Sequence, residues 1–236
     1  MAAHPDDIEL SCAGTLIKHA DAGDAVGIVD LTEGELSTRG SVELRYEEAA
    51  AAAKIMGAVV RENARFADGF FKNDEEHQRK LIAYIRHYRP EIVIANALAD
   101  RHPDHGRGGR LIADACFLAG LRKIETERDG VAQQPWRPGR VYHAIQDRPM
   151  EPSFIVDISS VFERKMEAIR AYRSQFYDPD SQEPATYIAS SQFLDGTVSR
   201  DVIMGKRIGV RYGEAFVSEN TPGISSLNDL ILPKMP

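Results

Sequence analysis

Hydrophobic positions along this chain alternate between two periods. Over residues 8–22, Ile8, Cys12, Thr15, Leu16 and His19 keep a three-to-four spacing that predicts a helix ending at Gly23. Residues 25–32 are a short apolar run rich in β-branched side chains, the pattern of a buried strand. A polar, glycine-bearing loop follows, then an alanine-rich helix over 42–57 with Ser41 placed to cap it. Residues 59–66 and 91–97 predict strands, and between them residues 74–88 form an amphipathic helix stopped by Pro90. Further on, the spacing predicts helices over 108–121, 160–176 and 196–211, strands over 140–147 and 153–158, and a polar loop over 178–186. Strands that alternate with helices imply an α/β fold, a mainly parallel sheet with helices on both faces. No long linker or low-complexity run interrupts the pattern, so residues 1–236 are expected to form a single domain.

Composition narrows the class. A hydrophobic fraction of 43% and a charged fraction of 28% are ordinary for a globular protein, and no run approaches the roughly 20 apolar residues of a membrane span. There is no charged-then-apolar leader, which points to a cytoplasmic protein. A net charge of −7 argues against nucleic acid as a partner, although local arginines can still meet an anionic small molecule. Cys12 and Cys116 lack CxxC spacing and sit in apolar helical patterns, so they read as small buried hydrophobes.

The chemistry concentrates in one tetrapeptide frame that occurs twice, His4-Pro5-Asp6-Asp7 and His102-Pro103-Asp104-His105. A single such triplet is ordinarily a loop with an Asx turn. Two of them, one directly after a buried strand, bring together imidazoles and carboxylates that a core would have to desolvate and that a catalytic metal requires. His4 and Asp7, three apart, can point the same way from a strand-to-helix turn. His105 would complete a two-histidine, one-carboxylate site with an open position for water. Asp6 would then face that position as a general base. His102, if not a ligand, would donate to an oxyanion, with Asp104 orienting it. His19, His77, His87 and His143 stand alone and read as surface or partly buried groups. No GxSxG, P-loop or GxGxxG motif competes. Only Met1–Ala3 precede the first frame, fewer than the about five residues a strand usually has, so a first strand is expected to need residues upstream of Met1.

Several stretches resemble the LmbE-like (PIG-L) zinc deacetylases. They are Ala3-His4-Pro5-Asp6-Asp7-Ile8-Glu9, Gly14-Thr15, Leu31-Thr32-x-Gly34-Glu35 and Arg101-His102-Pro103-Asp104-His105. Ser41-Val42-Glu43-Leu44-Arg45-x-Glu47-Glu48-Ala49, Asp100-Arg101 and Ala171-Tyr172-x-Ser174-Gln175-Phe176 are similar to the bacillithiol branch, which deacetylates N-acetylglucosaminyl-malate. The resemblance implies a Rossmann-like fold and a Zn2+ site, which Fe2+ would also suit. It implies His4, Asp7 and His105 as ligands, Asp6 as general acid/base and His102 as oxyanion partner. It further implies substrate contacts from Arg45 and Arg101, a small-molecule sugar conjugate as the partner, and a homo-oligomer, trimer or hexamer. Some relatives place a mobile tyrosine over the metal, a role for which Tyr187 and Phe193 are both candidates here. Two other readings stay open: an amidase acting on a larger thiol conjugate, and a non-catalytic metal- or sugar-binding module with closed four-ligand coordination.

Overall fold

A computed structural model describes residues 1–232. In chain order the elements are α1 (Asp7–Asp21), β1 (Gly27–Thr32), α2 (Val42–Met56), β2 (Val60–Phe66), α3 (Glu75–Tyr88), β3 (Ile92–Asn96) and α4 (Pro103–Leu118). There follow a short hairpin of β4 (Glu127–Arg128) and β5 (Val131–Ala132), then β6 (Arg140–Ala144), β7 (Phe154–Asp157), α5 (Phe162–Arg170), α6 (Ser191–Arg207) and β8 (Gly213–Ser218). Local chemistry sets several boundaries. The Ser41 side chain accepts from the Leu44 N–H at the start of α2, and Gly57 closes it at φ 77°. Asp74 caps α3 in the same way.

β1 and β2 pair in parallel, as do β3 and β6. β8 lies antiparallel between β6 and β7. The place expected for a first strand, between β1 and β3, is held by Met1–Ala3. Ala2 bridges to Asp30 in parallel, Leu31 donates to Ala2 O at 2.8 Å, and the Met1 amino group donates to Ile94 O at 2.8 Å. This short segment joins the two halves of the sheet and delivers His4 at its end.

Alternate side chains then fill opposite faces. Ala2, Ile28 and Ala144 join a core with α1, α2 and α5, including Ile17, Met56 and Ile169. Ala3, Val29, Leu31, Val93 and Ala95 join a second core with α3 and α4, including Leu81, Ile85, Leu111 and Ala115. The predicted α/β architecture with helices on both faces is thus observed.

Several elements differ from the periodicity. α4 starts at Pro103, not 108, because His102 caps it and Pro103 suits a first helical turn. α5 ends at Arg170 rather than running to 176; the Glu48 carboxylate draws the Ser174 N–H and hydroxyl away, each at 2.7 Å. α6 begins at Ser191, capped by Ser190. β8 was not predicted; its Gly-Glu-Ala-Phe-Val-Ser sequence buries a glutamate that strand periodicity would place in solvent. Among the described residues no helix is long and apolar enough to cross a membrane.

Candidate active site

Both tetrapeptides lie where a parallel strand ends and a helix begins, the place where open α/β sheets bind ligands. The backbone makes the same turn in each: Asp7 N–H donates to His4 O at 3.2 Å and His105 N–H to His102 O at 3.1 Å. The helices start at different points of the frame. α4 is capped by His102, whose Nδ1 accepts from the Asp104 N–H at 3.3 Å. α1 is preceded by Asp6, which holds φ 116° and ψ −24° and makes no capping bond. That left-handed backbone costs a non-glycine residue on the order of 1–3 kcal/mol. It leaves the Asp6 carboxylate free to accept from Arg45 Nη1 at 3.1 Å.

Between the frames sits the Asp7 carboxylate. Oδ1 is 3.0 Å from His105 Nε2 and Oδ2 is 3.4 Å from His4 Nδ1. Gln146 Nε2 donates to Oδ1 at 2.9 Å, and Asn96 Nδ2 and His4 N–H donate to Oδ2 at 3.1 and 3.0 Å. The far nitrogen of each imidazole is also held by a carboxylate: His105 Nδ1 lies 2.6 Å from Asp100 Oδ2, and His4 Nε2 lies 3.0 Å from Asp68 Oδ1. Ring nitrogens of His4, His102 and His105 fall within 4.8 Å of one another. Two imidazoles, each oriented from behind by a carboxylate, around a third carboxylate fixed by amides, are groups that could hold a metal ion and its supporting shell.

The acid–base properties agree with a site built to hold positive charge. Burial pulls His4 down, but Asp104, Asp68 and Asp7 more than reverse it, and its pKa stands well above the usual imidazole value. Burial is likewise outweighed at His105, where Asp7 and Asp100 raise the pKa to about 9. Burial would raise Asp7, yet His105 and His4 hold it well below the carboxylate range. Asp6 behaves oppositely: burial lifts it to about 7 against the pull of Arg45. His102 is lowered by burial and by its neighbours His4 and His105, which keeps it neutral at neutral pH.

All eight residues singled out from sequence are placed at this cleft or its edge, with three changes of partner. The Asp104 carboxylate does not orient His102. It points to His4 Nε2 at 3.5 Å and accepts from Gly69 N–H and Arg107 Nη1, each at 2.8 Å, so only its backbone N–H reaches His102. Arg45, expected to be a substrate contact, is buried and bound to Asp6, Pro5 O at 2.8 Å and Ser37 Oγ at 3.1 Å. Arg101 stands half-exposed at the mouth, its Nε donating to Asp147 Oδ2 at 2.6 Å. Phe193 lines the cleft wall. Tyr187 is exposed at the rim, beneath the Arg101 guanidinium at 4.7 Å and with its hydroxyl 3.4 Å from Asp147 Oδ1. Asp68, Asp100, Asn96 and Gln146 had no assigned role. Each lies at or just after the end of a strand, the one signal that could have marked them. His143 is fully buried rather than partly so, and its Nδ1 donates to Asn96 O at 2.8 Å.

Comparison with known proteins places this geometry. Residues 1–116 match the PIG-L family, described as GlcNAc-PI de-N-acetylase. A diacetylchitobiose deacetylase of Thermococcus kodakarensis is 32% identical over 187 residues, covering 73% of this chain and 67% of that protein. A 4-oxalmesaconate hydratase of Pseudomonas putida is 27% identical over 192 residues, covering 74% of this chain and 72% of that protein. Among solved structures, a conserved protein of Thermus thermophilus superposes with a TM-score of 0.85 at 36% identity over 96% of both chains. N,N'-diacetylchitobiose deacetylase of Pyrococcus horikoshii superposes with a TM-score of 0.78 at 27% identity, over 91% of this chain and 80% of that one. The chain belongs to the PIG-L (LmbE-like) deacetylase family.

Proposed function

We propose that the protein is a metal-dependent N-deacetylase that removes acetate from an N-acetylglucosamine conjugate, with N-acetylglucosaminyl-malate as its substrate. The observation that carries this reading is the pairing of Asp6 and His102, one on each frame, at the cleft that also holds His4, Asp7 and His105. His4, Asp7 and His105 would hold the ion. A zinc held there would lower the pKa of a water to about 7 and would polarise the amide carbonyl.

The chain's own groups do the rest. Asp6, with a pKa of about 7, takes the proton of the attacking water and returns it to the departing amine nitrogen, so one carboxyl serves as base and then acid. Arg45 keeps that carboxyl from rising further. His102 accepts the Asp104 N–H at Nδ1, so its neutral ring carries the remaining proton on Nε2 and can donate to the tetrahedral oxyanion. At the mouth, the Arg101 Nη groups make no hydrogen bond among the described residues, only its Nε being taken by Asp147. A free fork of this kind suits a carboxylate-bearing aglycone such as malate.

Acetate release should be assayed from the malate conjugate, diacetylchitobiose and free N-acetylglucosamine, with the protein loaded with zinc or ferrous iron. The malate conjugate is expected to be the fastest. Acetate release from none of the three would overturn deacetylation, and preference for the uncharged disaccharide would overturn malate alone. Kinship with the 4-oxalmesaconate hydratase favours one competing reading, addition of water to an unsaturated polycarboxylate. Loss of the conjugated chromophore without acetate formation would identify it.

A further inference from the structure

The segment of α1 that carries Asp7 is gripped from outside by a largely buried ionic network whose charged groups do not line the cleft. Arg200, on α6, donates from Nη2 to Leu10 O and from Nη1 to Gln146 O, each at 2.5 Å. The first acceptor lies one helical turn after Asp7. The second is the backbone of the residue whose side chain donates to Asp7 Oδ1. One planar guanidinium therefore fixes both the helix that bears this carboxylate and the amide that orients it.

The opposing charge meets the same turn. Glu214, on β8, accepts from the N–H of Gly14 at 2.9 Å and from the N–H and hydroxyl of Thr15 at 2.7 and 2.6 Å. Leu10 O and Gly14 N–H, the acceptor and donor of one helical turn, thus both have partners from elsewhere in the fold. Lys165, fully buried on α5, joins the two sides through Asp201 Oδ2 at 2.6 Å and Glu214 Oε1 at 2.9 Å, and Arg200 meets Asp201 Oδ1 at 3.2 Å. Two cations and two carboxylates leave the network neutral. Burying such a set is a poor way to gain stability, and its best-attested use is to fix geometry. Gly14 lets α1 lie this deep, since a Cβ there would stand 2.8 Å from Ile158 Cβ.

We infer that Arg200 is a positioning residue for the metal-binding carboxylate of Asp7, acting through the Leu10 carbonyl and Gln146. The inference rests on the assignment of Asp7 as a metal ligand. A lysine at this position has one nitrogen on a shorter stem and does not reproduce the two separate prongs, Nη1 and Nη2, that reach the two carbonyls. Arg200→Lys keeps the charge beside Asp201 and should fold, yet bind zinc roughly 10- to 100-fold more weakly in competition with a chromogenic chelator. Met204→Ala, a cavity in the same helix, is the control for general loosening. It should lower the melting temperature and leave zinc affinity near wild type. Unchanged zinc affinity in folded Arg200→Lys would overturn the inference, as would an equal loss in Met204→Ala. Asp7→Asn separates the two levels. Wild-type zinc affinity there removes the ligand assignment and this inference with it, whereas its loss there with full affinity in Arg200→Lys removes only the inference.

Discussion

Two frames that share three of four residues have opposite acid–base character. In the first, the leading histidine is held by three carboxylates and drawn well above the usual imidazole pKa, and the third-position aspartate is lifted by burial to about 7. In the second, the leading histidine is lowered by burial and by two neighbouring imidazoles. Its third-position aspartate is also buried, yet it ends below its usual value because His4, the Gly69 N–H and Arg107 outweigh the desolvation. Helix register makes the difference. α1 begins after Asp6, so that carboxylate is turned out of the helix by its left-handed backbone and, among the described residues, is hydrogen-bonded only by Arg45. α4 begins before Asp104, so that carboxylate lies within the first turn and packs behind His4. The same residue type ends above its usual pKa in one place and below it in the other because of its partners, not its spelling.

The sharpest way to break this comparison is to exchange roles across the frames. His105→Ala should lose bound zinc and with it all turnover, by elemental analysis and acetate assay. His102→Ala should retain zinc while kcat falls roughly 100- to 1,000-fold, the usual cost of one oxyanion donor. Zinc loss from His102→Ala would instead make the three-imidazole cluster the ligand set and close the site. Next in size is Asp6→Asn, expected to keep its zinc and lower kcat by about 100- to 10,000-fold. Turnover near wild type would end its role as base.

The candidate donors were legible because the spacing within each frame is local: His4 and Asp7, or His102 and His105, lie three apart on one turn and need no knowledge of the rest of the chain. The supports were not. Asp68, Asp100 and Gln146 come from three separate loops, and what makes them matter is a distance set by the sheet, 64 residues away in sequence for Asp68 and His4. Arg45 lines the cleft as its position in the sequence suggests, but its bond to Asp6 is not legible there, since an arginine's reach lets it bind either a substrate or a buried aspartate. α/β alternation predicted the layers, but β8 hid its strand character because it buries Glu214, whose partners Lys165 and Thr15 lie far along the chain. Buried charge is invisible to hydrophobic periodicity wherever its partners are distant.

The smallest expected effect is also the one that tests the comparison most directly. Asp104 shares support of His4 Nε2 with Asp68, which is nearer, at 3.0 Å against 3.5 Å. Asp104→Asn removes the charge, keeps the shape, and leaves Asp68 in place. Zinc affinity should fall by about 10-fold, the low end for a supporting carboxylate, and kcat at saturating zinc should stay within about threefold of wild type. Asp6→Asn should show the reverse pattern, near-normal affinity with turnover largely lost. If Asp104→Asn instead abolishes turnover at saturating zinc, the two aspartates carry protons alike, and helix register does not divide their roles.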